Sequence, residues 1–328
     1  MNVQLLKIIN GPKPQTALAL IIQDDGSLDN PGQLILDDFS GPKLESRKIF
    51  SNGDSIYDIW VSPKGDIWAC SSYGNIYTTA DVKFPESPFK SPYNLDDNIH
   101  ATELNWKMYC LGAVQNGVSI WSPDGVTIFV GTYSGHVYRW DGQTWTQQET
   151  PISQNGGKYI TQFAGAAAND VYAIGSYSRE LLHYDGKTWS RTAYDENKQG
   201  PMAAKGIART PGGAYYLACD GGRVWKTTDG QGFELVAEDP ELEFSGLTYA
   251  LDQIILAAGK KGVYVIEEGK LVNIRNTFSA EMVAGEGAQA VFIRPGKDDG
   301  ERISVAYAIY NTSEDRPWSG YTFYFAKE

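Results

Sequence analysis

Residues 126–145 read VTIFVGTYSGHVYRWDGQTW, short apolar runs broken by Tyr133-Ser134-Gly135 and by Asp141-Gly142. Asp-Gly between apolar runs marks a hairpin, and the preferred two-residue loop needs positive φ at both positions. The pair recurs at Asp185-Gly186 and Asp229-Gly230, each 44 residues after the last. An aromatic follows every time: Trp145, Trp189 and Phe233. Upstream, Gly131, Gly175 and Cys219 keep the same step, and so do Tyr133 and Tyr177. Towards the N-terminus, Trp60, Trp68, Cys70, Gly74 and Tyr77 match Trp121, Phe129, Gly131, Gly135 and Tyr138 at a spacing of 61. That is one period plus about 17 inserted residues, which lie between Tyr77 and Gly117. A weaker copy occupies residues 254–270, closed by Glu268-Gly269.

Each unit reads as four short strands, which in the clearest copy span residues 118–122, 126–132, 136–140 and 144–149. Strands this short, at intervals of roughly 8–12 residues, belong to sandwiches, barrels or propellers. A four-stranded unit repeated about every 44 residues selects an all-β propeller. The 328 residues hold seven four-stranded blades, six being the alternative count. The expected blades are 53–110, 113–150, 157–195, 201–238 and 243–275, with degenerate copies at 1–45 and 282–328. The chain reads as one domain, 1–328, with an inserted loop at about 80–110. Ring closure of the usual kind would have a terminal strand at 321–325 complete a blade begun by N-terminal strands.

Twenty-eight Lys+Arg against 40 Asp+Glu give a net charge of −12. Such a surface repels nucleic acid and anionic membranes and attracts basic partners. The 42% hydrophobic content excludes disorder of the whole chain, and 9 Trp, 20 Tyr, 12 Phe, 35 Gly and 15 Pro favour strands and turns. Cys70, Cys110 and Cys219 form no CxxC pair, and a sparse odd count fits a reducing compartment. The apolar run at 17–22 is far short of a membrane span, and residues 1–15 lack the features of a secretory signal. The expectation is a soluble, cytoplasmic monomer.

The repeated aromatics Trp60, Trp121, Trp145 and Trp189 read as packing between neighbouring sheets, since strand aromatics usually bury. Gly131, Gly175, Cys70 and Cys219 are expected where blades converge and bulk is excluded. His100, His136 and His183 form no pair at metal-ligand spacing, and no zinc cluster is evident. Residues 24–30 are acidic but lack the Glu of an EF-hand loop. No GxGxxG, Walker, GxSxG or HExxH sequence occurs, so no catalytic residue, metal or cofactor is assigned.

Loops on a rigid scaffold are the better candidates for recognition. The insertion carries Phe84, Phe89, Tyr93 and Trp106 on a segment stiffened by Pro85, Pro88 and Pro92, which suits a binding surface. The alternative is that the loop folds over the blades and packs its own aromatics. Loops joining second to third strands share a face with the connections between blades. That face is expected to present Tyr73, Tyr133, Tyr177, Arg179, Asp220, Lys260 and Lys261 beside the insertion.

Gly135-His136 and Trp140-Asp141 resemble the landmarks of WD40 repeats, although they are nearly adjacent here and absent from the other copies. Thr227-Thr228-Asp229-Gly230-Gln231-Gly232-Phe233 resembles the Asp-box of sialidase-like propellers, with its glycines displaced. The arginine triad and the Arg-Ile-Pro motif of sialidases are missing. In fold, charge and compartment the chain resembles divergent bacterial propellers that serve as immunity proteins of polymorphic toxin systems. That resemblance implies a non-enzymatic protein that binds a basic toxin effector domain. The alternative is a carbohydrate-binding or carbohydrate-acting propeller, which as an enzyme would pair carboxylates such as Asp58, Asp170 or Asp220 near one channel mouth.

Overall fold

Short strands joined by tight turns zip with their sequence neighbours, and the computed structural model consists of such meanders. It describes all residues except 1, 25–30, 42, 94, 96–103, 113–115, 154–157, 177–179, 193–202, 295–301, 312–316 and 327–328. The described strands form seven antiparallel sheets of four, each paired in chain order.

Blade 1 comprises β1 (Asn2–Asn10), β2 (Thr16–Asp24), β3 (Gly32–Asp38) and β4 (Glu45–Ser51). Blade 2 follows with β5 (Ile56–Val61), β6 (Ile67–Ser71), β7 (Asn75–Thr78) and β8 (Lys107–Cys110). In blade 3 are β9 (Gly117–Trp121), β10 (Ile128–Thr132), β11 (Val137–Trp140) and β12 (Trp145–Gln148). Next come β13 (Ile160–Ala167), β14 (Asp170–Gly175), β15 (Leu181–Tyr184) and β16 (Trp189–Arg191) of blade 4. Blade 5 holds β17 (Ala204–Arg209), β18 (Tyr215–Cys219), β19 (Arg223–Thr227) and β20 (Glu234–Glu238). Blade 6 holds β21 (Gly246–Ala250), β22 (Gln253–Ala257), β23 (Val263–Glu267) and β24 (Lys270–Arg275). The ring is completed by β25 (Met282–Glu286), β26 (Gln289–Arg294), β27 (Arg302–Tyr310) and β28 (Trp318–Ala326) of blade 7. The first strands stand side by side around the ring, β1 beside β5 and so on to β25 beside β1.

Neighbouring blades bury their facing surfaces against each other, so second strands are covered on both sides. That is why Ile67–Ser71 and Ile128–Thr132 are buried along their whole length. Trp68, Cys70 and Ile76 of blade 2 share one apolar cluster with Ile120, Ile128, Val130 and Trp140 of blade 3. The fully buried tryptophans are Trp68 and Trp140, each ring contributing roughly 2–3 kcal/mol. Trp189 is also buried, whereas Trp60, Trp121 and Trp145 cover the cluster edges at intermediate exposure. Gly131, Gly175, Cys70 and Cys219 are all buried. A Cβ on Gly131 would stand 2.5 Å from Ser119 Oγ and 2.6 Å from Ile160 Cβ. Burial pushes the Cys70 and Cys219 thiols well above their ordinary pKa, so both behave as small apolar fillers.

The Asp-Gly turns differ in mechanism from the two-residue loop expected. Trp140 pairs with Trp145 and Tyr184 with Trp189, leaving four loop residues. Gly142 (φ 98°) and Gly186 (φ 92°) are left-handed, and the aspartates are not. Instead Asp141 Oδ1 accepts from the N–H groups of Gln143 (2.9 Å) and Thr144 (2.8 Å), and Asp185 does the same with Lys187 and Thr188. These backbone donors hold both carboxyls below their usual range. Two-residue loops with positive φ at both positions stand instead at Leu251-Asp252 and Glu268-Gly269.

Ring closure also departs from expectation. Residues 321–325 lie in β28 and pair with β27, so the last blade keeps all four of its strands. Blade 1 needs none, because residues 2–51 supply four strands of their own. The seam is sealed by side chains. Ile8 and Ala17 pack with Val291, Ile293, Tyr307 and Ile309. Gln289 Nε2 donates to Asn10 Oδ1 at 3.1 Å, and the Tyr307 hydroxyl donates to Asp37 Oδ2 at 2.6 Å.

Asp37 is fully buried, and this burial raises its pKa against the hydrogen bonds from Tyr307 and Ser46. A carboxyl with a raised folded pKa favours folding most at low pH and loses that contribution as pH rises through the folded value. Asp37→Asn keeps an acceptor for Tyr307 and removes the buried charge. It should therefore stabilise the protein by about 1 kcal/mol at pH 7, with the gain vanishing below about pH 4. Urea unfolding at the two pH values checks this; a variant less stable at pH 7 would contradict it.

Candidate functional site

A shared hydrogen bond defines one face of the ring. Where each of blades 2–5 turns from its second to its third strand, the turn's first N–H donates to the segment entering that blade. The pairs are Ser72 to Ser55 O, Tyr133 to Asn116 O, Ser176 to Tyr159 O and Asp220 to Ala203 O, at 2.8–3.2 Å. We term this the entry face. Two residues beyond each acceptor the first strand bulges, leaving Tyr57, Val118, Thr161 and Lys205 as the extra residue. Leu6 is the equivalent in blade 1, while the first strands of blades 6 and 7 pair without a shift. Bulges re-aim side chains at barrel and propeller rims, and Tyr57 is 46% exposed as a result.

Behind this rim, polar side chains tie first strands together from blade to blade. Lys7 of β1 pairs with Asp58 of β5, whose second oxygen accepts from the Ile120 N–H of β9 at 2.8 Å. Ser119 donates to Ile160 O (2.8 Å), the Gln162 amide exchanges two bonds with the Ile207 backbone, and Thr248 donates to Gly285 O (3.0 Å). Asp58 is thus a structural link with both oxygens engaged.

The insertion wraps blade 2. It leaves β7 with Asp81 bound to Lys107 at 2.8 Å, and Phe84 then packs edge-on against Trp68 and Trp140. Ser87 donates to Cys110 O, and the Phe89 ring covers Gly112. Tyr93 reaches the entry face, where it meets Tyr73 edge to face (5.2 Å) and covers Gly53. The segment returns through Leu104 to Trp106, which is buried against Phe50 (4.7 Å) and donates its indole N–H to Ile49 O.

Of the residues expected to bind a partner, the structure therefore gathers Tyr73, Phe89, Tyr93 and Tyr133 on the entry face. Phe89 is 52% and Tyr133 53% exposed, and Tyr133 stacks flat on Tyr159 (4.9 Å, 11°). Trp106 and Phe84 are corrections to the expected docking set: their neighbours are core side chains, so Trp106 is closed to a partner and Phe84 half-closed. Asp220 is exposed on the same face, paired with Lys205 at 3.2 Å. Tyr177 and Arg179 lie outside the described residues. Tyr57 and Tyr159 were not among the expected residues. The constant offset of the bulge from the turn, 57, 118, 161, 205, is the periodic signal that could have found Tyr57.

At the opposite face, His183 Nε2 lies 2.7 Å from Asp170 Oδ1, and its ring stacks on Tyr172. Burial, reinforced by Asp170, pushes the neighbouring Tyr215 up to about 12. On the entry face, His136 lies between Ser134 (2.8 Å) and Glu149 (3.1 Å). Among the described residues no three His, Cys, Asp or Glu side chains converge as a metal site, and no helix is long and apolar enough to cross a membrane.

No protein-family profile and no curated protein matches the sequence. Solved structures do match. Sqt1 from Chaetomium thermophilum aligns at TM-score 0.61 and 14% identity, covering 94% of this chain and 81% of that one. The WD40 β-propeller domain of Doa1 gives 0.56 at 11% identity, covering 93% and 94%. Ycf48 bound to D1 peptide gives 0.51 at 11%, covering 81% of each chain. At these identities the likeness is one of fold, and this chain is an all-β, seven-bladed propeller.

The two ends of the insertion should respond oppositely to truncation. Trp106→Ala empties a core site and should cost about 3–5 kcal/mol, whereas Phe89→Ala should change stability by less than about 1 kcal/mol. Chemical denaturation of both variants measures the difference, and equal losses would mean that the whole insertion is structural.

Proposed function

We propose that this chain is a non-catalytic scaffold that binds a protein partner on the entry face of blades 2–4, and that the partner is a basic domain. The observation that carries the proposal is the set of half-exposed aromatics there: Tyr57, Phe89 and Tyr133 at 46%, 52% and 53%. Large rings left in water on a rigid frame lose little entropy on docking and dominate interface energetics. Tyr159 stacks on Tyr133, and on the same face Tyr73 packs edge to face on Tyr93. The net charge of −12 supplies long-range attraction for a cationic surface. The peptide bound to Ycf48, a protein of similar fold, supports a protein partner in general terms.

The finer reading is a bacterial, cytoplasmic immunity protein that occupies and neutralises a toxin effector domain; acidity and fold support it. A glycosidase reading is less well supported. It needs two carboxylates at one mouth, yet Asp58 is committed to Lys7 and Ile120, and Asp170 and Asp220 belong to opposite faces.

The test is capture of partners from the source cell by wild-type protein and by the triple variant Tyr57→Ala, Phe89→Ala, Tyr133→Ala. The wild type should retain a basic protein whose association slows as salt rises, and the variant should lose it at unchanged thermal stability. Equal capture by both would reject the face. Retention on a glycan array with no protein captured would favour the carbohydrate reading.

A further inference from the structure

Beneath the insertion, polar side chains are sealed into the joint between blades 1 and 2. The connection from β4 to β5 is held to blade 1 by a bond from the Gly32 N–H to Asp54 O at 2.8 Å. It turns at Gly53, which is left-handed at φ 83° and covered by the Tyr93 ring. That turn sets Asn52 and Asp54 against Asn75 and Tyr77 of β7. All four are buried, with Asp54, Asn75 and Tyr77 at 0% exposure.

The bonds among them leave the network one proton short. The Asp54 N–H donates to Asn52 Oδ1 (3.1 Å), Asn52 Nδ2 to the Tyr77 hydroxyl (2.8 Å), and that hydroxyl to Asp54 Oδ2 (2.9 Å). Asn75 Nδ2 also donates to Asp54 Oδ2, at 2.8 Å. Two acceptors then have no donor, Asp54 Oδ1 and Asn75 Oδ1. Turning the Asn75 amide over brings no relief, since it would set oxygen against Asp54 Oδ2. Among the described residues no Lys, Arg or His bonds to Asp54. The titratable groups around it are the Tyr77 hydroxyl and the Cys70 and Cys110 thiols, all held neutral by burial, while Lys7 is committed to Asp58. A carboxylate here would be a buried charge without a counter-charge. Burial accordingly raises the Asp54 pKa, against hydrogen bonds from Ser71, Asn75, Tyr77 and the Ser55 N–H.

We propose that Asp54 carries a proton on Oδ1 at neutral pH and donates it to Asn75 Oδ1. A carboxylic acid and an amide then meet head to head through two bonds, amide N–H to acid carbonyl and acid O–H to amide carbonyl. A single proton thus satisfies both orphan acceptors and removes the uncompensated charge. The pair is a pH-sensitive latch between the connection that leaves blade 1 and the third strand of blade 2. Loss of the proton breaks one of its two bonds and leaves a charge in the core. The latch therefore holds in acid and weakens as pH rises through the folded pKa. It does not depend on the partner-binding function proposed for the face above it.

Asp54→Asn supplies the test, because an amide at this position can donate to Asn75 Oδ1 as the acid does but cannot ionise. Between about pH 5 and pH 7 the unfolded chain has already lost this proton, while the folded chain keeps it. The unfolding constant of the wild type should therefore rise about tenfold per pH unit relative to the variant. Urea unfolding of both full-length proteins across this range gives the ratio, in which the contributions of other groups, Asp37 included, cancel. We expect an increase of about 100-fold from pH 5 to pH 7, with the variant folded throughout. Infrared difference spectra at pH 7 should show one protonated-carboxyl band in the wild type that the variant lacks. A flat ratio, a missing band or a variant that does not fold overturns the proposal. So does a ratio that depends on added calcium or on a chelator, which would give the two orphan oxygens to a bound cation.

Discussion

Seven first strands crowd around one narrow ring, and the bulk excluded where each blade meets the next governs the rest of the molecule. A Cβ on Gly131 would collide with Ile160 of the following blade, one on Gly117 would lie 2.9 Å from Cys70 Cβ, and one on Gly206 would lie 2.7 Å from Leu247 N. Backbones approach this closely only where side chains are missing. The same closeness lets short polar side chains reach from strand to strand, so that Ser119, Thr248 and the Gln162 amide bond directly to the next blade's backbone. Apolar burial between blades supplies the stabilisation, and these bonds set the angle at which blades stack.

The close-packed ring leaves the proposed recognition to its surface. Its entry face is built from turns held by one repeated backbone bond, so side chains beside those turns are presented from fixed positions. Tyr133 and Asp220 donate that bond in equivalent turns, and Tyr73 follows its donor Ser72. The insertion adds what the repeat lacks, carrying Phe89 and Tyr93 up to the face from a buried root at Trp106. One segment is therefore scaffold at its base and surface at its tip.

The period is legible in the sequence because turn chemistry is local. An aspartate that accepts two N–H groups, followed by a left-handed glycine, leaves the same residues every time it is built. Small residues such as Gly131 and Cys219 are legible for the steric reason above. The fate of the insertion aromatics is not, since Trp106 and Phe89 differ in nothing but tertiary neighbours 57 and 23 residues away. The bulges are legible only through their fixed distance from the turns. An extra residue in a ladder puts no demand on side-chain type, and Leu6, Tyr57, Val118, Thr161 and Lys205 share nothing but position. The seam depends on contacts across 270 and 279 residues, beyond the reach of any local pattern.

That seam bears on the order of events as the chain is made. A propeller whose first blade borrows its last strand from the chain's end must hold three unfinished strands until synthesis is nearly over. Here each blade is one continuous stretch and can zip as it emerges, the first within 51 residues. Entropy of loop closure grows only logarithmically with length, so deferring a single long-range contact adds little to its cost. Completing the ring then asks only that the first and last blades, each already paired within itself, come together.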